Sequence, residues 1–202
     1  MEKAELLQKY IEYVSKEGRR PSTVSKFTFA INIKETDFYS HFSTFNQLEQ
    51  FYWHNLHEEL IKKITSQEVY TNYSVREKLL SYAFTLIEML KENRSFALIT
   101  LQKNCNVLDK YKKEVKTYAE TLTAEGTQSN EIQDRMFISA YYPDLIVQQI
   151  VAVIHFWSKD ESPNFEKTDV FIEKSINFVL DALSKNWLDT GFDFIKYLFQ
   201  KK

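Results

Sequence analysis

The sequence predicts an all-α protein: a small N-terminal three-helix domain joined to a larger helical bundle. Three observations carry this. Breakers are rare, with three glycines and three prolines in 202 residues. Apolar residues, 44% of the chain, recur at helical spacing over long stretches. The polar stretch "SQEVYTNYS" (66–74) separates a short set of periodic segments from a longer one, so domains are expected at 1–65 and 66–202.

The elements follow in order. "KAELLQKYIEYVSKEG" repeats Leu6, Leu7, Tyr10, Ile11 and Val14 at helical spacing, and Gly18 stops it. After the turn "RRPST", Ser22 or Thr23 caps a second helix over roughly 23–31. Asn32 ends it, because Asn tolerates the left-handed conformation that a tight helix–helix turn requires. A short third helix is expected at 35–42. Ser43 or Thr44 caps a long fourth one at 45–65.

Beyond the polar stretch, helices are expected over 74–93, 94–104 and 107–126, the last ending at Gly126. "DRMFISAYYPDLIVQQIVAVIHFWSKD" reads as one helix broken near Pro143 or as two helices. "ESPNFEKTDVFIEKSINFVLDALSKN" opens with Ser162 as cap and Pro163 at the first helical position. "DTGFDFIKYLFQKK" closes the chain as a short amphipathic helix. With 16 Phe and 12 Tyr, the interior should be aromatic.

The net charge of -2 carries no global basic bias, so nucleic-acid binding would need a local patch. A single cysteine, Cys105, rules out an internal disulfide framework and fits a reducing cytoplasm, the expected location. The charged amphipathic start is not a signal peptide. The longest apolar region, 145–157, is too short for the roughly 20 residues a membrane span needs. His54, His57 and Glu58 share a helix face, but read better as packed or solvated side chains than as metal ligands. No catalytic motif rises above chance. Neither enzyme activity, a cofactor nor a metal is expected.

Residues 21–42, "PSTVSKFTFAINIKETDFYSHF", have a helix-turn-helix rhythm. Phe38 and Phe42 lie four apart and should pack inward with Phe27, Ile33 and Leu48. Thr23-Val24, Phe27, Asn32-Ile33, Phe38-Tyr39-Ser40-His41-Phe42 and Leu48 keep, without a gap, the spacing of the TetR-family N-terminal pattern. In that pattern Thr-Val leads to Ile-Ala, then Ala-Gly-Val-Ser at the turn, then Leu-Tyr-x-His-Phe and a later Leu. Residues 1–60 therefore resemble the DNA-binding domain of TetR-family regulators. The segment "FWSKDESPNFEKTDVFIEKSINF" resembles a C-terminal domain found in TetR-like proteins of Bacteroidetes-type bacteria.

The resemblance implies a TetR-like regulator, a repressor, that binds double-stranded operator DNA as a homodimer and is released by a hydrophobic small molecule. Thr23, Tyr39 and His41 would meet phosphates, with Lys26 beside them. Lys34, Glu35, Thr36 and Asp37 would lie nearest base edges. The pattern's turn Gly is Asn32, its small residues are Thr28 and Ile31, and its Lys after the recognition helix is Phe45. Residues 1–64 hold nine Lys or Arg and nine Asp or Glu, a net of zero. Phosphate neutralisation must then come from a cluster, for which Arg19, Arg20, Lys26 and Lys34 are available.

In the C-terminal domain the family places a ligand tunnel and a dimer interface. Tyr82, Leu86, Met89, Phe96, Phe137, Tyr141, Ile154 and His155 are the expected ligand-binding residues. Ile150, Phe165, Ile172, Ile176, Val179 and Leu183, at helical spacing, are expected at a four-helix dimer interface. An alternative reading is a TetR-fold protein that has lost DNA binding and holds a lipid or isoprenoid. Its tail "FDFIKYLFQKK" would then touch a membrane surface or a partner.

Overall fold

The computed structural model describes residues 1–103, 106–136 and 138–184. Among them are nine α-helices and no strand: α1 (Lys3–Glu17), α2 (Val24–Ala30), α3 (Glu35–Tyr39), α4 (Phe45–Thr65), α5 (Val75–Glu92), α6 (Arg94–Lys103), α7 (Asp109–Gln128), α8 (Tyr142–Ser158) and α9 (Glu166–Leu183). The fold is all-α, as expected. Cys105, Phe137 and the tail from residue 185, with its expected closing helix, lie outside the described residues.

Two compact units form: residues 1–60 with 88–113, and residues 61–87 with the described residues from 114 to 184. The end of α5, all of α6 and the start of α7 thus fold with the N-terminal helices.

The first unit is built on an aromatic cluster. One face of α1 buries Leu6, Leu7, Tyr10, Ile11 and Val14, and Gly18 ends the helix at φ 65°. Tyr10 packs edge-on against Phe27 at 5.3 Å and Phe96 at 5.8 Å, and stacks on Phe45 at 5.2 Å. Phe38 and Leu48 are fully buried, and Phe42 nearly so. Trp53 donates its indole N–H to the buried Thr100 hydroxyl, 3.2 Å away, which ties α4 to α6. His57 is buried against the Tyr111 ring.

The second unit packs α8 and α9 together. Trp157, Ile146, Ile150, Val153, Ile154, Ile172, Ile176 and Leu180 form its core. Tyr82 stacks on Tyr118 at 5.1 Å, and the Tyr118 and Tyr70 hydroxyls lie 2.7 Å apart. Arg135 closes the C-terminus of α9: its guanidinium donates to the carbonyls of Ala182, Leu183 and Ser184.

Three local expectations change. Helix α7 runs through Gly126 to Gln128. The glycine serves packing there, since a Cβ would lie 2.7 Å from Ile132 Cδ1 and 3.1 Å from Val75 Cγ2. Pro143 sits in the first turn of α8, and upstream of it only a 3-10 turn, Ser139–Tyr141, forms, so this stretch holds one α-helix that begins at the proline rather than a broken helix or two helices. Ser162 and Pro163 open a 3-10 turn instead of α9. Asn164 and Phe165 then reverse the chain at φ 51° and 63°. Asp160 organises this start, accepting from the Ser162 backbone and hydroxyl and from those of Thr168 at 2.6–2.9 Å. Burial opposes the Asp160 charge, but these four donors outweigh it and hold its pKa below the usual carboxylate range.

Candidate nucleic-acid interface

The first unit presents a helix-turn-helix. Thr23 caps α2, its hydroxyl accepting from the Lys26 N–H at 3.2 Å. Thr28 is buried but satisfied: its hydroxyl donates to the Val24 carbonyl at 3.0 Å. Asn32 adopts φ 56°, so it makes the left-handed turn that the pattern assigns to Gly. Helix α3 ends at Tyr39, sooner than residue 42, because the chain tightens: His41 N–H donates to the Phe38 carbonyl at 3.0 Å. Phe42 still bonds to Phe38 at 2.9 Å and stays in the core.

With Phe38 turned inward, α3 leaves Glu35, Thr36 and Tyr39 exposed, and Lys34 is exposed at its N-cap. Thr23 and Lys26 are exposed on α2. His41 is half-buried, with Nε2 2.7 Å from the Met1 carbonyl. Asp37 is used locally: its carboxylate accepts from the Lys34 N–H at 3.2 Å. A negative charge there complements the positive end of the helix dipole.

Sequence reading placed Arg20 with the free cations. The structure pairs it instead with the buried Glu49 of α4, through Nε at 2.8 Å and through Nη2 to the second carboxylate oxygen. Tyr10 donates its hydroxyl to the same carboxylate at 2.8 Å. Burial raises the Glu49 pKa, and the Arg20 and Tyr10 hydrogen bonds only partly offset it. Burial opposes the Arg20 charge, and Glu49 outweighs it, so the Arg20 pKa is raised. Arg20 therefore fastens the α1–α2 connection to α4. Arg19, Lys26 and Lys34 are exposed.

Phe45 also gains an account. The position where the pattern carries Lys here stacks an aromatic ring on Tyr10 and packs 5.4 Å from Phe38. Sequence reasoning missed Phe29, which is 89% exposed on α2 while Phe27, two residues earlier, is fully buried. A helical two-residue offset, which turns side chains to nearly opposite sides, was the available signal.

A family model described as Tetracyclin repressor-like, C-terminal domain, matches residues 78–198, more than half of the chain. The chain belongs to the TetR family. No curated protein and no solved structure matches it. It is a TetR-family regulator with an all-α fold, and among the described residues no helix is long and apolar enough to cross a membrane.

The residues expected to bind ligand in this TetR-family chain are dispersed. Met89 and Phe96 belong to the first unit, where Phe96 packs edge-on against Tyr52 at 4.8 Å. Tyr82, Leu86 and Ile154 are core residues of the second unit. Tyr141 and His155, also in the second unit, are exposed. Phe137 lies outside the described residues.

The residues expected at the dimer interface divide by helix face. Ile150, Ile172, Ile176 and Leu183 are buried within the chain. Phe165 and Val179 are half-buried. The outward face of α8 and α9 carries Leu145, Val170 and Phe178, the last 64% exposed. An apolar groove of about 670 Å³ runs between Phe156, Val170, Phe171 and Phe178, with Phe156 and Phe171 stacked at 4.4 Å. A second, of about 370 Å³, lies between Leu145, Ala152, Phe178 and Val179. Phe178 borders both. The apolar stripe in the sequence was the inward one; the outward one is interrupted by Glu166, Lys167 and Lys174.

Proposed function

We propose that this TetR-family regulator binds operator DNA as a homodimer and is released by a hydrophobic small molecule. One observation carries the DNA half: α3 buries Phe38 and turns Lys34, Glu35, Thr36 and Tyr39 outward beside exposed Thr23 and Lys26. Lys26, Lys34 and Arg19 supply the phosphate neutralisation. Glu35 is suited to accept a hydrogen bond from a cytosine amino group, so the acidic character of α3 is compatible with base reading.

The homodimer is supported by the outward α8–α9 face, where Leu145, Val170 and Phe178 are exposed beside two apolar grooves. Such a surface is more than scattered exposed apolar side chains require. An isologous four-helix interface would cover it and set the spacing of the two recognition helices.

The alternative, a TetR-fold protein that has left DNA for a lipid or isoprenoid, draws support from one finding. Arg20 is committed to Glu49, so the neutral N-terminal domain has fewer cations to offer DNA than its sequence suggests. Gel-shift titration against duplexes from the neighbourhood of its own gene separates the readings. The regulator binds one duplex at two protomers per site and better than random DNA. Binding no better than random DNA by any tile removes the operator reading and favours the lipid reading.

A further inference from the structure

The groove of about 670 Å³ on the outward face of α8 and α9 lies wholly within the second unit. Its volume falls in the range of small-molecule sites, roughly 300–1,000 Å³. Phe156 and Phe171 stack 4.4 Å apart along it, and the exposed Val170 and Phe178 extend the apolar surface.

Two cations border that surface. Lys167 and Lys174 line the groove, and both are exposed. They lie about two turns apart on α9, on one side of the helix, with Val170 and Phe171 between them. Neither has an ion-pair partner among the described residues. Glu166 also lines the groove, but it sits in the first turn of α9, where the helix dipole favours a negative charge. Ser175 is already committed: its hydroxyl donates to the Phe171 carbonyl and accepts from the Gln149 amide. The groove is thus apolar and aromatic, with two unmatched ammonium groups beside it.

We propose that this groove binds a monomeric anionic amphiphile, a carboxylate with an acyl or aromatic body, and that the ligand and the partner subunit compete for it. The competition rests on the homodimer reading above; the binding does not. The apolar body covers Phe156, Phe171 and Phe178, and the carboxylate accepts from Lys167 or Lys174. Other ligand classes fit less well. A cationic amphiphile meets two ammonium groups. A neutral alcohol leaves both charges unused. A small inorganic anion gains nothing from the apolar surface.

Isothermal titration of the full-length chain with sodium octanoate, below its micelle concentration, tests the binding. 1-Octanol, octylammonium chloride, sodium acetate and phosphatidylglycerol vesicles are the controls. Octanoate should bind saturably, about tenfold tighter than 1-octanol, and octylammonium and acetate should not bind. The double variant Lys167→Gln, Lys174→Gln should weaken octanoate by about tenfold and leave 1-octanol unchanged. Both side chains are exposed, so its circular dichroism spectrum should match the wild type. Light scattering should show dimer turning to monomer as octanoate fills the groove. No saturable heat with octanoate, equal binding of 1-octanol or octylammonium, or undiminished affinity in the double variant each overturns the site. Preference for the vesicles over monomeric octanoate overturns the monomeric ligand. A dimer that persists at saturating octanoate overturns the competition. A chain that is monomeric before any ligand is added removes the homodimer reading and the competition with it, while the titration still decides the site.

Discussion

Arg20 holds Glu49 through both carboxylate oxygens, and Tyr10 donates to the same buried carboxylate at 2.8 Å. This triad joins α1, the α1–α2 connection and α4, so it sets the base on which α2 and α3 stand. Removing one partner of a buried ion pair costs about 3 kcal/mol, because the other charge is left uncompensated. Arg20 is a quarter exposed, so water screens part of that loss. Arg20→Met should therefore cost about 2 kcal/mol in urea unfolding. Arg20→Met with Glu49→Met, which removes both charges, should recover much of it. A double variant as unstable as the single one would show that the pair is not acting as a charge pair.

The Asn32 turn gives a backbone test. At φ 56° the residue is left-handed, and a side chain without Asn's local hydrogen bonding costs about 1 kcal/mol there. Asn32→Ala should lower stability by about that amount, while Asn32→Gly should be close to neutral. Thermal melts of the two variants check the order.

Tyr10, Tyr52 and Tyr118 all have pKa values pushed above the ordinary tyrosine range, first by burial. A raised folded pKa means that the unfolded state loses its protons first. The stabilising contribution is complete below the unfolded value of about 10 and is lost as pH rises through and beyond it. Unfolding midpoints should hold between pH 7 and 9 and fall above 10. Ultraviolet titration of the folded protein should show a set of phenols that ionise late.

Asp160 gives the opposite sign. Its folded pKa is lowered by Thr168 and Ser162 donors against the effect of burial. Its contribution is present above the unfolded value of about 4 and is lost as pH falls towards the folded one. Asp160→Asn should lower the midpoint at pH 7 and flatten the acid limb of the stability curve between about pH 4 and 2.

The outward face of α8 and α9 predicts a clean contrast. Phe178→Glu should give a monomer by light scattering with an unchanged helical circular dichroism spectrum, because Phe178 is exposed. Ile172→Glu should abolish folding, because that side chain is fully buried. A dimer that survives Phe178→Glu would place the interface elsewhere.

The helical periodicity of this chain made most of its fold legible. Thr23 as cap, Gly18 and Asn32 as left-handed stops, and α4 at 45–65 all follow from local chemistry that the structure repeats. What the sequence hid is long-range. Gly126 resembles a helix stop, and the close approach of Ile132 and Val75 explains it. Ser162 caps as expected, its hydroxyl accepting from the Lys167 N–H of α9 at 3.1 Å, but it shares the role with Asp160, which holds Thr168 eight residues away. Arg20 resembles a surface cation until Glu49, 29 residues on, reaches it. The two faces of α8 and α9 are both apolar, so spacing alone does not say which one turns inward.

The central claim is that α3, with Lys34 and Tyr39 exposed, reads operator DNA. Fluorescence anisotropy on duplexes tiling the gene's own upstream region, repeated across a salt series, tests it most directly. The account predicts saturable binding at one tile that weakens steeply with salt and is lost in the Lys34→Ala, Tyr39→Ala double variant. Flat curves at low salt on every tile, or binding that the double variant retains in full, would contradict it.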